Sequence, residues 1–197
     1  MTEVQSTYIR GSICNYSGLI MPFTPYHFGP GLFLGVLLFP FIDFSTVIIA
    51  SMFIDIEPIA VLMLGLPYPL HGFFHSYVGA TILSCVLTGL IYPFRKYLNA
   101  LVSLFGLHQE SSLRHIFPAS IIGTYSHVFL DSFLYSEMNP LYPLIGNPFL
   151  GMLSSGIVYS LCVQLGLLGL GLYVIRLLYF HLKPTAERIE HETFIGE

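Results

Sequence analysis

Charge is what this chain lacks most. Only 9% of its 197 residues are Asp, Glu, Lys or Arg, while 54% are hydrophobic. A soluble domain carries about 25% charged residues, so there is too little polar surface here to cover a water-exposed globule. The expected class is an all-α, polytopic helical membrane protein. Seven basic residues and a net charge of −4 leave no basic patch for nucleic acid. The cysteines, Cys14, Cys85 and Cys162, are scattered and form no CxxC, which excludes a zinc ribbon and a disulfide framework. Trp is absent, and Tyr stands in for it as the interfacial aromatic. No signal-peptide pattern, internal repeat or low-complexity segment is present.

Against this background the apolar runs predict about five helices. Residues 1–20 are mildly polar and read as a non-essential N-terminal tail, with Met21 as a true or alternative start. An integral membrane domain is expected over 21–182, followed by a charged cytoplasmic tail over 183–197. Within the domain, 28–41 is apolar but, at about 1.5 Å per residue, too short for a bilayer core of roughly 30 Å. The run 45–66 is interrupted by Asp55-Ile-Glu57-Pro58, and proline predicts a kink there. A span over 72–94 is closed by Pro93 and Arg95-Lys96, a polar connection runs to 114, and 115–135 forms the next span. A proline-rich loop follows over 136–151, and 151–180 is the last apolar run. The glycines read as helix-packing residues.

Basic residues orient the chain. Arg95, Lys96 and Arg114 lie in one connection, and Arg176, Lys183 and Arg188 follow the last run, so both regions are expected in the cytoplasm. The N-terminus is then outside and the C-terminus cytoplasmic. The loops near 66–75 and 136–151 also fall outside.

The ionisable residues inside the apolar half carry the chemistry. His71 and His75 are four apart, as are His127 and Asp131, and on a helix such pairs share a face. The charge-based orientation brings both pairs to the outer side, with His27. Imidazole and carboxylate are the usual ligands of zinc and other divalent transition metals. His27, Asp55, His71, His75, His127 and Asp131 are therefore the candidate ligands for one or two divalent ions, zinc first among them. Asp55 could bridge or complete the shell. Glu57 is a candidate general base or an outer partner of a histidine, and Asp55 or Glu57 would handle the proton in a hydrolysis. Blander readings stand beside these. His108, His115 and His181 taken singly read as hydrogen-bonded interfacial residues, and Asp43 reads as a helix cap as readily as a ligand.

The order His27, Asp55-Ile-Glu57, His71-x3-His75-Ser76 and His127-x3-Asp131 resembles a group of inner-membrane-associated, metal-dependent hydrolases of bacteria and archaea, first noted for regulation by the LexA repressor. The resemblance covers about 21–131. That group is distantly similar to zinc-dependent phospholipase C and P1 nuclease, which implies a helical fold, His/Asp ligands, zinc and phosphodiester cleavage. Two departures stand out. The second acid is Glu57 where the group often has Asp, and no Arg lies beside His71 to clamp a phosphate.

The expectation is thus a multi-pass inner-membrane, metal-dependent hydrolase. Its substrate would be a lipid-like or amphiphilic (phospho)ester near the outer interface, and its partners the bilayer and no nucleic acid. The alternative is a non-enzymatic metal or proton carrier, because intramembrane acids and histidines also build ion paths.

Overall fold

The computed structural model describes residues 25–182. The tails 1–20 and 183–197 and the Met21 start lie outside the described residues. Every regular element within them is helical.

Helix α1 runs Pro25–Leu37, opening on a proline whose missing N–H costs nothing at a first helical position. Asp43 then caps α2 (Phe44–Phe53), accepting from the Thr46 N–H at 2.8 Å and from its hydroxyl at 2.6 Å. This settles Asp43 as a cap. The chain turns at Ile54–Asp55 and resumes as α3 (Ile56–Leu64). Pro58 has no N–H for the Ile54 carbonyl, and the Glu57 N–H takes that carbonyl instead at 3.0 Å, in the tighter i−3 pattern. The expected kink is present for the expected reason. α2 and α3 together form one 21-residue apolar span, Phe44–Leu64.

Two expectations need correction. His71 and His75 do not share an α-helix: His71 lies in the connection, and His75 ends a single 3-10 turn, Phe73–His75. Ser76 then caps α4, accepting from the Gly79 N–H at 3.0 Å. Nor does Pro93 close the span: α4 runs Tyr77–Ser103 through it. One lost backbone bond does not stop a long helix whose neighbours hold it in place.

Helix α5 (Leu113–Asp131) packs against both α2 and α4, and α6 (Ser155–Leu182) against α1. Among the described residues, three helices are long and apolar enough to cross a membrane: Phe44–Leu64, Tyr77–Ser103 and Ser155–Leu182. α5 is not among them, although its segment reads as a span in the sequence. Its buried face is polar instead. Ser84 meets Thr124 at 2.8 Å, and Thr88 meets Ser120 at 3.1 Å, along the α4–α5 seam. Hydroxyls of this kind hold helices together where burial of apolar area supplies no drive. Counting α2 and α3 as one kinked helix, the bundle has the five helices expected.

Two further contacts set the helix positions. Gly123 lets α5 lie against α2: a Cβ there would stand 2.6 Å from the Ala50 Cβ and 2.7 Å from the Val47 carbonyl oxygen. Buried Gln109 ties the α4–α5 connection to the end of α1, donating to the Phe39 and Ile42 carbonyls at 2.7 and 2.6 Å and accepting from the Phe44 N–H at 3.0 Å.

Gln109→Leu strands these three backbone groups, at about 1–3 kcal/mol for each one left unsatisfied. A clear drop in the melting temperature of the detergent-solubilised protein is the expected result. Gly123→Val is expected to cost a further about 1–3 kcal/mol through overpacking against α2, read in the same melt.

Candidate metal centre

Four elements converge at one end of the bundle. They are the start of α1, the α2–α3 kink, the 3-10 turn before α4 and the end of α5. Asp55, His75, His127 and Asp131 meet there, all buried, each offering a ligand atom within 4.8 Å of the others. The kink brings Asp55, the 3-10 turn brings His75, and α5 brings His127 and Asp131 on one helical face.

Hydrogen bonds behind the two imidazoles decide what they present. His127 Nδ1 lies 2.7 Å from the Ser51 carbonyl oxygen, which can only accept, so Nδ1 carries the proton. His75 Nδ1 lies 2.7 Å from Glu57 Oε2, and Glu57 Oε1 accepts from the Phe74 N–H at 3.1 Å. Both Nε2 atoms therefore face the centre of the group, and neither makes a hydrogen bond of acceptable geometry. His127 Nε2 is 3.1 Å from Asp131 Oδ2 and 3.4 Å from Asp55 Oδ1, and His75 Nε2 is 3.9 Å from Asp131 Oδ2. Nitrogen lone pairs facing carboxylate oxygens in a dry interior repel unless a cation or a proton lies between them. Ligands about 2.1 Å from a tetrahedral ion stand about 3.4 Å apart, a value that the observed spacings, from 3.1 Å to at most 4.8 Å, bracket. Burial pulls the His75 pKa below the ordinary imidazole range, outweighing the opposing Glu57 hydrogen bond. The imidazole is thereby held neutral, the form that coordinates metal. The donor set fits a divalent ion.

The other predicted residues lie around this group. His27 places Nε2 3.1 Å from Asp131 Oδ1 and stacks on the His127 ring at 3.7 Å between centroids. Glu57 stands behind His75 with both oxygens engaged. His71 is outside the four-residue group: its Nδ1 meets Glu137 Oε1 at 2.9 Å, and its ring stacks on Tyr135 at 3.6 Å and stands edge-on to His75 at 4.7 Å. Burial raises the Glu137 pKa, but the His71 hydrogen bond works against it, and the net shift is downward.

Three contributors went unseen in the sequence. Ser51 acts through its backbone carbonyl, which leaves no trace in residue type. Tyr135 supplies a ring face to His71. Glu137 did carry a signal, as the only acidic residue between Asp131 and Glu187. Basic residues are distant. Arg95 begins the sixth turn of α4, about 27 Å along the helix from its first residue beside His75. Arg95, Lys96 and His108 line a separate cavity of about 550 Å³, which contains none of the residues above.

Glu57→Ala removes the acceptor of both the His75 Nδ1–H and the Phe74 N–H. The expected outcome is a loss of about 1–3 kcal/mol of stability and about 10–100-fold weaker affinity for added Zn²⁺. Glu57→Gln, which keeps an acceptor oxygen for His75, should retain most of both. Thermal melts with and without Zn²⁺ measure the pair.

No curated protein and no solved structure matches the chain. A family model does match, over residues 20–186, and its description agrees with the three membrane-crossing helices in making this a multi-pass protein of the inner membrane. The chain belongs to the YdjM inner membrane protein family.

Proposed function

We infer that this protein is a membrane-embedded, metal-dependent hydrolase, acting near the outer interface on a lipid-like or amphiphilic ester. One observation carries the reading: two imidazoles, each fixed from behind through Nδ1, aim bare Nε2 atoms at two buried carboxylates. A cation between them relieves the repulsion of nitrogen lone pairs and carboxylates, and one divalent ion does so for both imidazoles at once.

In this reading His75, His127 and Asp131 would hold one divalent ion, zinc first among the candidates, with Asp55 beside it so that a position stays open for water. A bound divalent cation supplies Lewis-acid polarisation and a lowered pKa for an attacking water. Glu57 keeps His75 in the coordinating tautomer, and the Ser51 carbonyl does the same for His127. His27 stands 3.1 Å from the other oxygen of Asp131 and stacks on the His127 ring, packing against both. Asp55, at the kink, is the acid with the role of accepting the proton of the attacking water. His71 and Glu137 lie on the neighbouring connections, where a proton can pass outward. Because Arg95, Lys96, Arg114 and Arg176 all lie towards the opposite end of the bundle, no described cation offers a phosphate clamp. An ester of low charge, carboxyl ester or phosphodiester, suits the site better than a phosphomonoester dianion.

The second reading is a non-enzymatic metal or proton carrier. The chain of contacts from Asp131 through His75 to the His71–Glu137 pair supports it, as a short path leading out of the buried group.

Metal analysis of the purified protein under non-chelating conditions is expected to find about one divalent ion per chain. His75→Ala and Asp131→Ala should abolish it. A wild type without stoichiometric metal would sink the hydrolase and the metal carrier alike. Turnover of a carboxyl- or phosphodiester substrate that is lost in both variants separates enzyme from carrier.

A further inference from the structure

Two connections cover the metal-centre end of the bundle, the one after α3 and the one between α5 and α6. Loops that face water are polar, because their backbone and side chains are solvated there. These are not. Apart from Glu137, which pairs with His71, they carry no charged residue: no Asp, Glu, Lys or Arg occurs in residues 58–94 or 138–175. The side chains turned outward are large and apolar: Ile145 is 98% exposed, Met152 68% and Leu144 67%, with Leu66, Tyr68 and Leu150 close to half exposed. Such a contiguous apolar surface marks an interaction face.

The backbone of the second connection is prepared to leave water. The Asn147 side chain donates to the Ser132 and Tyr135 carbonyls at 2.7 and 2.9 Å. Gly146 N–H donates to Asn139 Oδ1 at 2.7 Å, and Gly151 N–H to the Phe133 carbonyl at 3.1 Å. Tyr142 and Leu144 close turns on Asn139 and Leu141. The surface is also continuous with one already assigned to lipid. The connection leads directly into α6, whose 28 residues measure about 42 Å, longer than a hydrocarbon core of about 30 Å. That excess lets the first turns of α6, and the loop beside them, lie at the boundary of headgroups and acyl chains while the helix still spans the core.

We propose that residues 141–152, with the 63–68 connection beside them, are seated in that boundary, with the apolar side chains of Leu144, Ile145 and Met152 immersed in the leaflet. The occupant of this face is the bilayer that holds the spans. Non-helical backbone does not enter the hydrocarbon core, so the seat is shallow. The consequence for substrate rests on the hydrolase reading above: a ligand would reach the centre laterally from the leaflet, as a lipid-borne ester.

The absence of Trp makes a clean test. Ile145→Trp places a single indole at a fully exposed position, and Val163→Trp places one on the half-exposed face of α6. Both proteins are reconstituted in vesicles of phosphatidylcholine brominated at shallow or deep acyl positions. The expected result is blue-shifted emission from Ile145→Trp and bromine quenching comparable with Val163→Trp, strongest with the shallow label. The proposal is overturned if Val163→Trp is quenched by bromine while Ile145→Trp emits as in water, escapes bromine and is quenched by aqueous iodide. It is equally overturned if Ile145→Trp escapes both quenchers, which would mean that protein, such as a second copy of the chain, covers the face. The readout needs no metal, so failure here leaves the metal reading standing, and a metal-free protein leaves the seat standing.

Discussion

Two hydrogen bonds on the far side of two imidazole rings constrain everything at the centre of this molecule. The Ser51 carbonyl holds His127 and the Glu57 carboxylate holds His75, each through Nδ1. With those nitrogens committed, the Nε2 atoms face Asp55 and Asp131 in a region with almost no solvent exposure. Buried acids and bare imidazole nitrogens this close call for a cation or a proton between them. The arrangement is intelligible as a cation site.

The rest of the bundle serves that requirement. Ser51 reaches His127 only because α5 lies tightly on α2, and Gly123 is the residue that permits the approach. Asp55 faces inward because Pro58 breaks the helix just after it, leaving one span that bends at its own acidic residue. His75 arrives from a 3-10 turn, stopped by the Ser76 cap that starts α4. In a membrane, where backbone groups need internal partners, such breaks persist only where they are packed against protein or line a polar site. The polar seam of Ser84, Thr88, Ser120 and Thr124 has a related role, holding α4 and α5 together so that His75 and His127 stay in register.

Charge is sorted along the bundle. The described basic side chains lie away from the metal-centre end, whose acids are buried apart from half-exposed Glu137, and the connections covering that end are apolar. Membrane family, apolar rim and the inward-facing acids and histidines are mutually consistent features of one end of a membrane bundle.

Composition alone determined the class: a chain with 9% charge has no other way to bury its surface than in lipid. The break at Asp55–Pro58 was legible because proline's missing N–H is a local fact. So was the set of chemistry-bearing residues, because an acid or histidine within an apolar run is costly wherever it ends up. The fold decided how those residues divide. His71 and His75 have helical spacing, yet no helix joins them; an N-cap at Ser76 and a 3-10 turn place His75 in the group and leave His71 to Glu137. α5 reads as a membrane span, but its place between α2 and α4 lets it carry hydroxyls no lipid-facing helix would tolerate. Glu57 reads in the sequence as base or outer partner, and only the fold shows that it lies 2.7 Å behind His75. These outcomes turn on which backbone groups meet across the bundle, and spacing along a chain carries no record of that.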